Sequence, residues 1–446
     1  MTLQVRAPAS KSISHRMLIA AALAPGHSVV RHVLDCVDLE RTRAILTDAG
    51  ARIEPLGAGD WRVEGMTEGP RGSLSANAPL SCDVHESGTT CRLLSAVLSA
   101  GRGYFRIHGV PRMHERPLGA LIEALRSQGV DCRCEVREGY PPLRLCAAGL
   151  PGGDVRLRMD ESSQYLSGML LAAPFCRTPL RLSLTGEKAV SWPYVGLTLQ
   201  TLEDFGLHVL VEERRSGGIW QSADWRKLAS VRPADIRLTV QPGRYACGEH
   251  TVEGDWSGAS YLLAAGAVGL HPLCVTGLRQ NSLQGDRAIA EILRAMGAPV
   301  EWTPEGVRVS PAALHGVDVD MGDCPDLVPT VAALAAVAGG VTRIRNVAHL
   351  RFKESDRLAA SAGELRRAGV TVDEFEDGLA VHGLGRQPTV PQGTVFQTHN
   401  DHRIAMSMAL FGLGEQPVVV DNPSVVNKSF PRFWEVWSML RCPVSN

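Results

Sequence analysis

Residues 10–26 read SKSISHRMLIAAALAPG, a polar and basic cluster followed by a Leu/Ala-rich run and a terminal glycine. Serine is common at helix starts and glycine at helix ends, and the apolar run between them has the length of a helix. The stretch therefore predicts a helix that begins near Ser12 and ends before Gly26. The same pattern returns five more times, at Ser87, Ser162, Asp255, Asp326 and Asp401.

The spacing of these helix starts indicates a repeated unit. They lie about 75 residues apart, except for one gap of about 93 residues between the third and fourth. A second helical pattern follows each first one and usually ends in glycine, as in residues 40–50 and 355–369, and alternating stretches such as residues 52–54 and 370–372 then predict strands. The sequence thus predicts an α/β protein of six copies, in two lobes of three. The long gap contains residues 212–237, which we interpret as an irregular insertion on a surface loop, with a binding role as the alternative.

Composition excludes several classes of protein. The 446 residues are 44% hydrophobic and 21% charged, as in a globular protein, which excludes a disordered, collagenous or coiled-coil chain. With 46 Lys and Arg against 47 Asp and Glu, a chain-wide basic surface for nucleic acid is not expected. The first residues lack a signal-peptide pattern, and the most apolar run, residues 327–341, is too short to span a bilayer. The 11 cysteines are scattered without a C-x-x-C spacing, so we expect reduced thiols, no structural zinc and a cytoplasmic protein.

The helix starts are unusual because they combine basic residues with serine, threonine or glycine. A helix N-terminus already attracts anions, so added cations indicate a strongly anionic ligand, whereas a capping residue beside a solvated charge is the alternative. In the first cluster Ser12 and Arg16 are four residues apart and share a helix face, which suits a carboxylate or phosphate. In the second cluster Gly88 allows a ligand to approach the backbone closely.

Seven polar clusters follow each other in a specific order. They are S-K-S-x-S-x-R (10–16), S-G-T-T-x-R (87–92), E-R-P (115–117), S-S-Q (162–164), K-E-S-D-R (353–357), N-D-H-R (400–403) and N-K-S-F-P (427–431). Any one of them is a weak signal, but their joint order is highly specific. Across residues 8–431 the chain resembles the 5-enolpyruvylshikimate-3-phosphate (EPSP) synthase family.

The resemblance implies an activity and a fold. The family transfers the enolpyruvyl group of phosphoenolpyruvate to the 5-hydroxyl of shikimate-3-phosphate and releases phosphate, by addition and elimination through a tetrahedral intermediate. It uses no metal, organic cofactor or covalent enzyme intermediate, and its members suggest a monomer. Its fold has two lobes of three βαβαββ units each, an inside-out α/β barrel that closes on its substrates. By this resemblance residues 10–253 form one lobe, with the insertion near 212–237, and residues 1–9 with 254–446 form the other.

The resemblance also implies which residues bind the two small-molecule substrates. Ser12 and Arg16 should hold the shikimate carboxylate, and Ser162, Ser163 and Ser191 the 3-phosphate. The full set expected to bind shikimate-3-phosphate is Lys11, Ser12, Arg16, Ser162, Ser163, Gln164, Ser191, Tyr194, Asp326 and Lys353. The set expected to bind phosphoenolpyruvate is Lys11, Gly88, Arg116, Gln164, Arg357, Arg403 and Lys428.

Four residues are expected to move protons. Asp326 is the expected base for the attacking hydroxyl, and Glu354 the expected acid for the methylene carbon, which requires a pKa raised by partial burial. Lys11 should assist proton transfer to the departing phosphate, and His402 should supply a proton or polarise an oxygen. The alternatives are that Asp326 caps the helix after Pro325, that Glu354 only pairs with a neighbouring cation, and that His402 orients a loop.

The chain departs from the family pattern at several positions. Ala9 stands where glycine is common, Glu86 where many members have asparagine, and Trp192 where a basic residue is common. By the resemblance, Gly88 is the position at which glyphosate would crowd the site, and a glycine there implies sensitivity to that inhibitor.

Three other functions are alternatives to enolpyruvyl transfer to shikimate-3-phosphate. The related transferase that acts on UDP-N-acetylglucosamine resembles G-A-K-N near its start and uses a loop cysteine, whereas this chain has A-S-K-S at residues 9–12 and no cysteine in the E-R-P cluster. A non-catalytic repeat protein that binds anionic metabolites would not need an acid and a base. RNA end processing on a similar repeat fold conflicts with the balanced charge.

Overall fold

Twelve α-helices and 23 strands occur among the residues that the computed structural model describes, which are 2–215, 217–228, 230–388, 390–391, 393–413 and 417–441. The helices are α1 (Lys11–Leu23), α2 (Val37–Asp48), α3 (Gly88–Ser99), α4 (Gly119–Ser127), α5 (Ser163–Ala172), α6 (Pro193–Asp204), α7 (Trp256–Val268), α8 (Ile289–Ala295), α9 (Val328–Val337), α10 (Arg357–Arg367), α11 (His402–Met408) and α12 (Phe433–Arg441). The strands are β1 (Leu3–Arg6), β2 (His27–Arg31), β3 (Arg52–Gly57), β4 (Asp60–Glu64), β5 (Leu80–Asp83), β6 (Arg102–His108), β7 (Asp131–Cys134), β8 (Leu143–Ala148), β9 (Gly153–Arg158), β10 (Leu180–Thr185), β11 (Val209–Arg214), β12 (Trp220–Ser222), β13 (Ile236–Val240), β14 (Glu249–Thr251), β15 (Leu273–Thr276), β16 (Val300–Trp302), β17 (Gly306–Val309), β18 (Asp318–Asp320), β19 (Gly339–Arg345), β20 (Thr371–Phe375), β21 (Gly378–Leu384), β22 (Val395–Phe396) and β23 (Val419–Val420).

The first helix of each copy is buried on nearly all sides. In α7 every residue from Trp256 to Ala267 is buried, and α9 is similarly enclosed. The second helices, such as α2 and α4, bury only one face, as expected for amphipathic helices at the surface. Four of the seven polar clusters, residues 10–16, 87–92, 162–164 and 400–403, lie at the first turns of these enclosed helices, so the fold carries many of their side chains into the interior. None of the described helices has the length and apolar character needed to cross a membrane.

Each copy contributes a small sheet that contains a parallel pair of strands. The strand orders are β14-β2-β4-β3, β5-β6-β8-β7, β12-β11-β13-β10-β9, β1-β15-β17-β16, β18-β19-β21-β20 and β22-β23. The sixth copy has no further strand pair among the described residues. The α/β class and the six copies predicted from the sequence are therefore confirmed.

The chain divides into two compact units. The middle unit is Lys11–Val252, and the terminal unit comprises the residues up to Ser10 together with those from Glu253 onward. The first strands of the first and fourth copies are exchanged, since β1 completes the sheet of the fourth copy and β14 that of the first. The two linking segments bond to each other, with Ser10 N donating to the Glu253 carbonyl at 2.8 Å.

Much of the insertion is ordered, so the expectation of an irregular surface loop was wrong for part of it. Strand β12 pairs with β11 and extends the third sheet as its edge strand. The Trp225 side chain is buried, and the Trp192 indole donates a hydrogen bond to the Leu228 carbonyl at 2.9 Å. Trp192, the departure from a commonly basic residue, therefore anchors the insertion. Ser216 and Ala229 lie outside the described residues.

Candidate active site

The polar residues at the helix starts of the middle unit both cap helices and accompany buried cations. Ser87 accepts a hydrogen bond from the Thr90 amide, and Ser162 accepts one from the Gln164 amide. The capping alternative is thus correct for these serines. The same alternative also expected the neighbouring charges to be solvated, and that expectation is wrong because Arg16 and Arg92 are buried.

Lys11 is paired with an acidic residue that the sequence did not single out. Its ammonium lies 3.4 Å from Asp38 Oδ2, and the Asp38 side chain is only 5% exposed. The pair joins the starts of α1 and α2. Because Asp38 partly compensates the charge of Lys11, an anionic ligand at Lys11 competes with a carboxylate that is already in place.

Arg16 has a different environment, since its hydrogen bonds go to neutral groups. Its guanidinium donates to Thr198 Oγ1 at 2.8 Å and to the Ser12 carbonyl at 2.8 Å. It also donates to Ser167 Oγ and to the Tyr194 carbonyl. Burial lowers the pKa of Arg16 to about 10, so the group is still charged at neutral pH. A buried cation without a carboxylate partner among the described residues favours an anionic ligand nearby.

Gly88 and Arg116 form one feature at the start of α3. Arg116 is buried and donates to the Glu86 carbonyl at 3.2 Å. A Cβ at position 88 would overlap the Arg116 guanidinium. Glycine is therefore required for Arg116 to lie across this helix N-terminus, where the helix itself favours negative charge.

Gln164 is fixed from both ends of its amide. Its Nε2 donates to Thr89 Oγ1 at 2.9 Å, and its Oε1 accepts from Arg92 at 3.0 Å. Arg92 is thus a positioning residue for Gln164. The first turn of α5 consequently presents an oriented amide beside the hydroxyls of Ser162 and Ser163.

Ser191 has a backbone conformation that non-glycine residues rarely adopt. Its φ is 55°, in the left-handed region, and its side chain is buried. Such conformations cost about 1–3 kcal/mol and cluster at functional sites. The Ser191 carbonyl accepts from the Tyr194 amide at 3.2 Å, which links the strained residue to the start of α6.

In the terminal unit, one arginine donates hydrogen bonds to three carboxylates. Arg357 donates to Asp326 at 2.8 Å, to Glu354 at 2.8 Å and to Asp401 at 2.7 Å. Burial alone would lower the pKa of Arg357, but the three carboxylates outweigh it and raise the pKa above its ordinary value. These contacts unite the K-E-S-D-R and N-D-H-R clusters with Asp326.

Asp326 is bound by two guanidinium groups. Arg357 contacts Oδ1, and Arg403 contacts Oδ2 at 2.7 Å. Burial would raise the pKa of Asp326, but the charges of Arg403, Arg357 and Lys353 outweigh it and hold the pKa below its ordinary value. The N-cap position of α9 is Leu327, and the Asp326 carboxylate contacts two guanidinium groups, so this geometry favours the ion-paired role over the capping alternative. In this state Asp326 is ionised but a weak base.

Glu354 also lies between two cations. Arg357 contacts its Oε2, and the Lys428 ammonium lies 3.5 Å from its Oε1. The alternative that Glu354 is an ion-pair partner therefore describes this state, with Lys428 as the second cation. Nearby cations favour the carboxylate over the acid, so a proton-donating role needs the surroundings to change.

His402 is fully buried at the start of α11, with its Nδ1 3.6 Å from Asp401 Oδ1. Asp401 caps the same helix by accepting from the Arg403 amide at 2.9 Å, and it anchors Arg357. This geometry favours the orienting role for His402, and proton supply stays a prediction.

The acidic partners Asp38 and Asp401, and the positioning residue Arg92, were missed as site residues. Asp401 and Arg92 lie within recognised clusters, which was the available signal, whereas Asp38 has none. Among the described residues no group of three or more His, Cys, Asp or Glu side chains could hold a metal ion.

Comparison with known proteins gives a consistent result. Residues 1–221 and 229–437 match the family model described as EPSP synthase (3-phosphoshikimate 1-carboxyvinyltransferase). A 3-phosphoshikimate 1-carboxyvinyltransferase from Aeromonas salmonicida (strain A449) is 38% identical over 97% of this chain and 95% of its own length. One from Syntrophobacter fumaroxidans is 39% identical over 98% of this chain and 97% of its own length. An EPSP synthase structure from Acinetobacter baumannii matches with a TM-score of 0.75 at 26% identity, covering 98% of this chain and 95% of that one.

Proposed function

This chain belongs to the EPSP synthase family, and on that premise we propose that it transfers the enolpyruvyl group of phosphoenolpyruvate to the 5-hydroxyl of shikimate-3-phosphate. Phosphate is the second product, and the reaction serves aromatic amino acid biosynthesis. The observation that carries the proposal is the cluster around Arg357, in which a candidate base, a candidate acid and three cations interlock. A protein that only binds anions needs no such arrangement.

The middle unit supplies the neutral donors that shikimate-3-phosphate requires. Ser162, Ser163 and Ser191 hold its 3-phosphate in this proposal, since hydroxyls and helix N-termini suit phosphate oxygens. Ser12 and Arg16 hold its carboxylate. Gln164 and Tyr194 lie against the ligand, whereas Lys353 and Asp326 contact its ring hydroxyls.

The cations assigned to phosphoenolpyruvate are Lys11, Arg116, Arg357, Arg403 and Lys428, with Gly88 and Gln164 completing the site. Arginine binds carboxylate and phosphate through two parallel hydrogen bonds, and lysine acts as a point charge. Arg357, Arg403 and Lys428 already hold protein carboxylates. An incoming anion therefore exchanges partners with them.

When a substrate anion replaces the protein carboxylates as partner of these cations, Asp326 and Glu354 are released to act as base and acid. In the addition step Asp326 accepts the proton of the 5-hydroxyl, whose oxygen attacks C2 of phosphoenolpyruvate, while Glu354 protonates C3. In the elimination step Glu354 takes a proton back from the new methyl group, the C–O bond to phosphate breaks, and Lys11 assists proton transfer to the departing phosphate. When the substrate anion draws Arg357 and Arg403 away, the pKa of Asp326 rises and the carboxylate becomes a stronger base. Loss of Lys428 and Arg357 likewise lets Glu354 hold a proton.

The test measures phosphate release from purified protein given shikimate-3-phosphate and phosphoenolpyruvate, with each omitted in turn. Release that requires both, together with the enolpyruvyl product by proton NMR, is the expected result. No release above background would reject the proposal, and calorimetric binding without turnover would favour the non-catalytic alternative. Release with UDP-N-acetylglucosamine instead would favour the related transferase.

We also propose that the protein acts as a monomer in the cytoplasm, as the family resemblance and the sequence features suggest. The ten described cysteines form no disulfide. Light scattering coupled to size-exclusion chromatography should give a mass near 48.0 kDa, and a mass of twice that value would reject the monomer.

A further inference from the structure

Asp286 is a buried carboxylate to which the proposed reaction assigns no role. It lies in the 3-10 turn Gly285–Ala288 and is 2% exposed. Its Oδ2 accepts a hydrogen bond from the Ser257 hydroxyl, whereas its Oδ1 has no hydrogen-bond partner among the described residues. A buried carboxylate that is only partly satisfied is costly, so its presence calls for a reason.

Asp286 is connected to the candidate base through two intervening side chains. Ser257, near the start of α7, donates to Asp286 and accepts from Arg403 Nη2 at 3.4 Å. The same Nη2 donates to Asp326 Oδ2 at 2.7 Å. The contacts thus run from Asp286 through Ser257 and Arg403 to Asp326, all within the terminal unit.

The charges around Asp286 make this connection sensitive to pH. Burial and then the Asp326 charge raise the pKa of Asp286 to about 7, although the Arg403 charge and the hydrogen bond from the Ser257 hydroxyl oppose the rise. The other titratable groups near it are Asp255 and Cys324. The Arg403 guanidinium therefore contacts Asp326 directly and Asp286 through the Ser257 hydroxyl. The charge of one carboxyl group consequently affects the pKa of the other.

We propose that Asp286 is a positioning residue for the general base, acting through the Ser257 hydroxyl to set how tightly Arg403 holds Asp326. The inference rests on the proposed function. Ionised Asp286 competes for the charge of Arg403, so Asp326 is held less tightly and accepts a proton more readily. Neutral Asp286 leaves Arg403 fully on Asp326.

The first test is Asp286→Asn, which keeps the size and a hydrogen-bond acceptor but removes the charge. We expect kcat to fall about tenfold or more, with the KM for shikimate-3-phosphate nearly unchanged, because the loss concerns the chemical step. The rise in wild-type kcat as pH passes about 7 should disappear in the variant. A variant with wild-type kcat and pH profile would overturn the inference.

The second test concerns the link through Ser257. Ser257→Ala should lower kcat as Asp286→Asn does, the double variant should lose no more than the larger single loss, and Ser257→Thr should restore activity. Ser260→Ala is the matched control, because Ser260 is a buried α7 serine whose hydroxyl donates to the Ser257 carbonyl and lies 3.1 Å from Thr330 Oγ1. Additive losses, or an equal loss of kcat in the control, would overturn the inference.

A readout without activity separates this inference from the proposed function. Thermal unfolding of the wild type, Asp286→Asn, Ser257→Ala and the double variant reports whether Asp286 and Ser257 are coupled in the folded protein. A wild-type protein that releases no phosphate would reject the proposed function, whatever the coupling. Zero coupling in unfolding would reject the Asp286–Ser257 link even in an active enzyme.

Discussion

Arg16 in the middle unit and Arg357 in the terminal unit are both buried near helix starts, but their partners differ. Arg16 donates to hydroxyl and carbonyl oxygens, and no carboxylate accepts from it among the described residues. Arg357 donates to Asp326, Glu354 and Asp401. The middle unit therefore carries a buried cation whose charge no carboxylate compensates among the described residues, and the terminal unit carries a buried cation that three carboxylates compensate.

This difference indicates two ways to bind an anion. Around Arg16 the folded protein bears the cost of a buried charge, so a bound carboxylate relieves that cost directly. Around Arg357 an anion gains little unless it displaces a protein carboxylate, and the displaced group then changes its proton affinity. Binding of the first kind favours recognition, and binding of the second kind favours catalysis.

The largest expected effect comes from Asp326→Asn, which removes the candidate base. Asp326 belongs to the cluster that Arg357 forms with Asp326, Glu354 and Asp401, which we call the compensated cluster. Because an amide cannot accept the proton, we expect kcat to fall about 10²- to 10⁴-fold. Binding of shikimate-3-phosphate, measured by calorimetry, should weaken far less. Asp373→Asn is the control, since Asp373 is exposed in the same unit and contacts His382. Equal losses of turnover and binding would make Asp326 a binding or structural residue.

A second prediction compares stability directly, using Arg357→Met and Arg16→Met. Removing Arg357 leaves three carboxylates short of a cation, which should cost about 3–5 kcal/mol in the free energy of unfolding. Removing Arg16 eliminates an uncompensated buried charge, so the loss should be smaller by about 2 kcal/mol or more. Urea unfolding followed by circular dichroism measures both. Equal losses would show that the neutral donors around Arg16 compensate its charge as well as carboxylates do.

The sequence predicted the repeated fold well because helix starts are local signals. Each first helix begins with a capping residue or a polar cluster and continues as an apolar run, and both features are visible in about 15 residues. The ordered part of the insertion was missed because β12 is a three-residue edge strand. So short a segment has no detectable alternation, and its partner β11 rather than its own sequence defines it.

The cations of the candidate site lie in clusters that the sequence shows, whereas two of their acidic partners, Asp38 and Asp401, were not singled out. Lys11 lies in a recognisable cluster, whereas Asp38 is 27 residues away and contacts it only after α1 and α2 pack together. Asp401 resembles an ordinary helix cap, a role it does have, and its bond to Arg357 spans 44 residues. Pairing between residues on different helices is a tertiary property, and a charge state that depends on it cannot be read from a local pattern.

A smaller effect is expected from Gly88→Ala. This variant tests whether phosphoenolpyruvate binding depends on the close approach of the Arg116 guanidinium to the backbone of Gly88. The new Cβ would overlap the Arg116 guanidinium and displace it, so the KM for phosphoenolpyruvate should rise about tenfold. Gly363→Ala is the matched control, because this α10 glycine has open space around it and alanine stabilises helices. An unchanged KM in Gly88→Ala would mean that Arg116 does not bind this substrate.

The smallest effect concerns the pH dependence of stability, where the carboxyl groups of Asp326 and Asp286 act in opposite directions. Although burial opposes it, the charges of Arg403 and Arg357 hold the pKa of Asp326 below its ordinary 3.8, so its contribution is present above about pH 4 and is lost as pH falls further. Burial and Asp326 raise the pKa of Asp286 to about 7, so its contribution is present below 3.8 and is lost as pH rises towards 7.

Wild-type protein should therefore lose stability relative to Asp286→Asn as pH rises from about 4 to 7. The difference in slope is at most one proton, about 1.4 kcal/mol per pH unit. Urea unfolding of both proteins across this range measures it. Parallel curves would mean that Asp286 titrates alike in the folded and unfolded chains, which would contradict a pKa raised by burial and by the Asp326 charge in the folded protein.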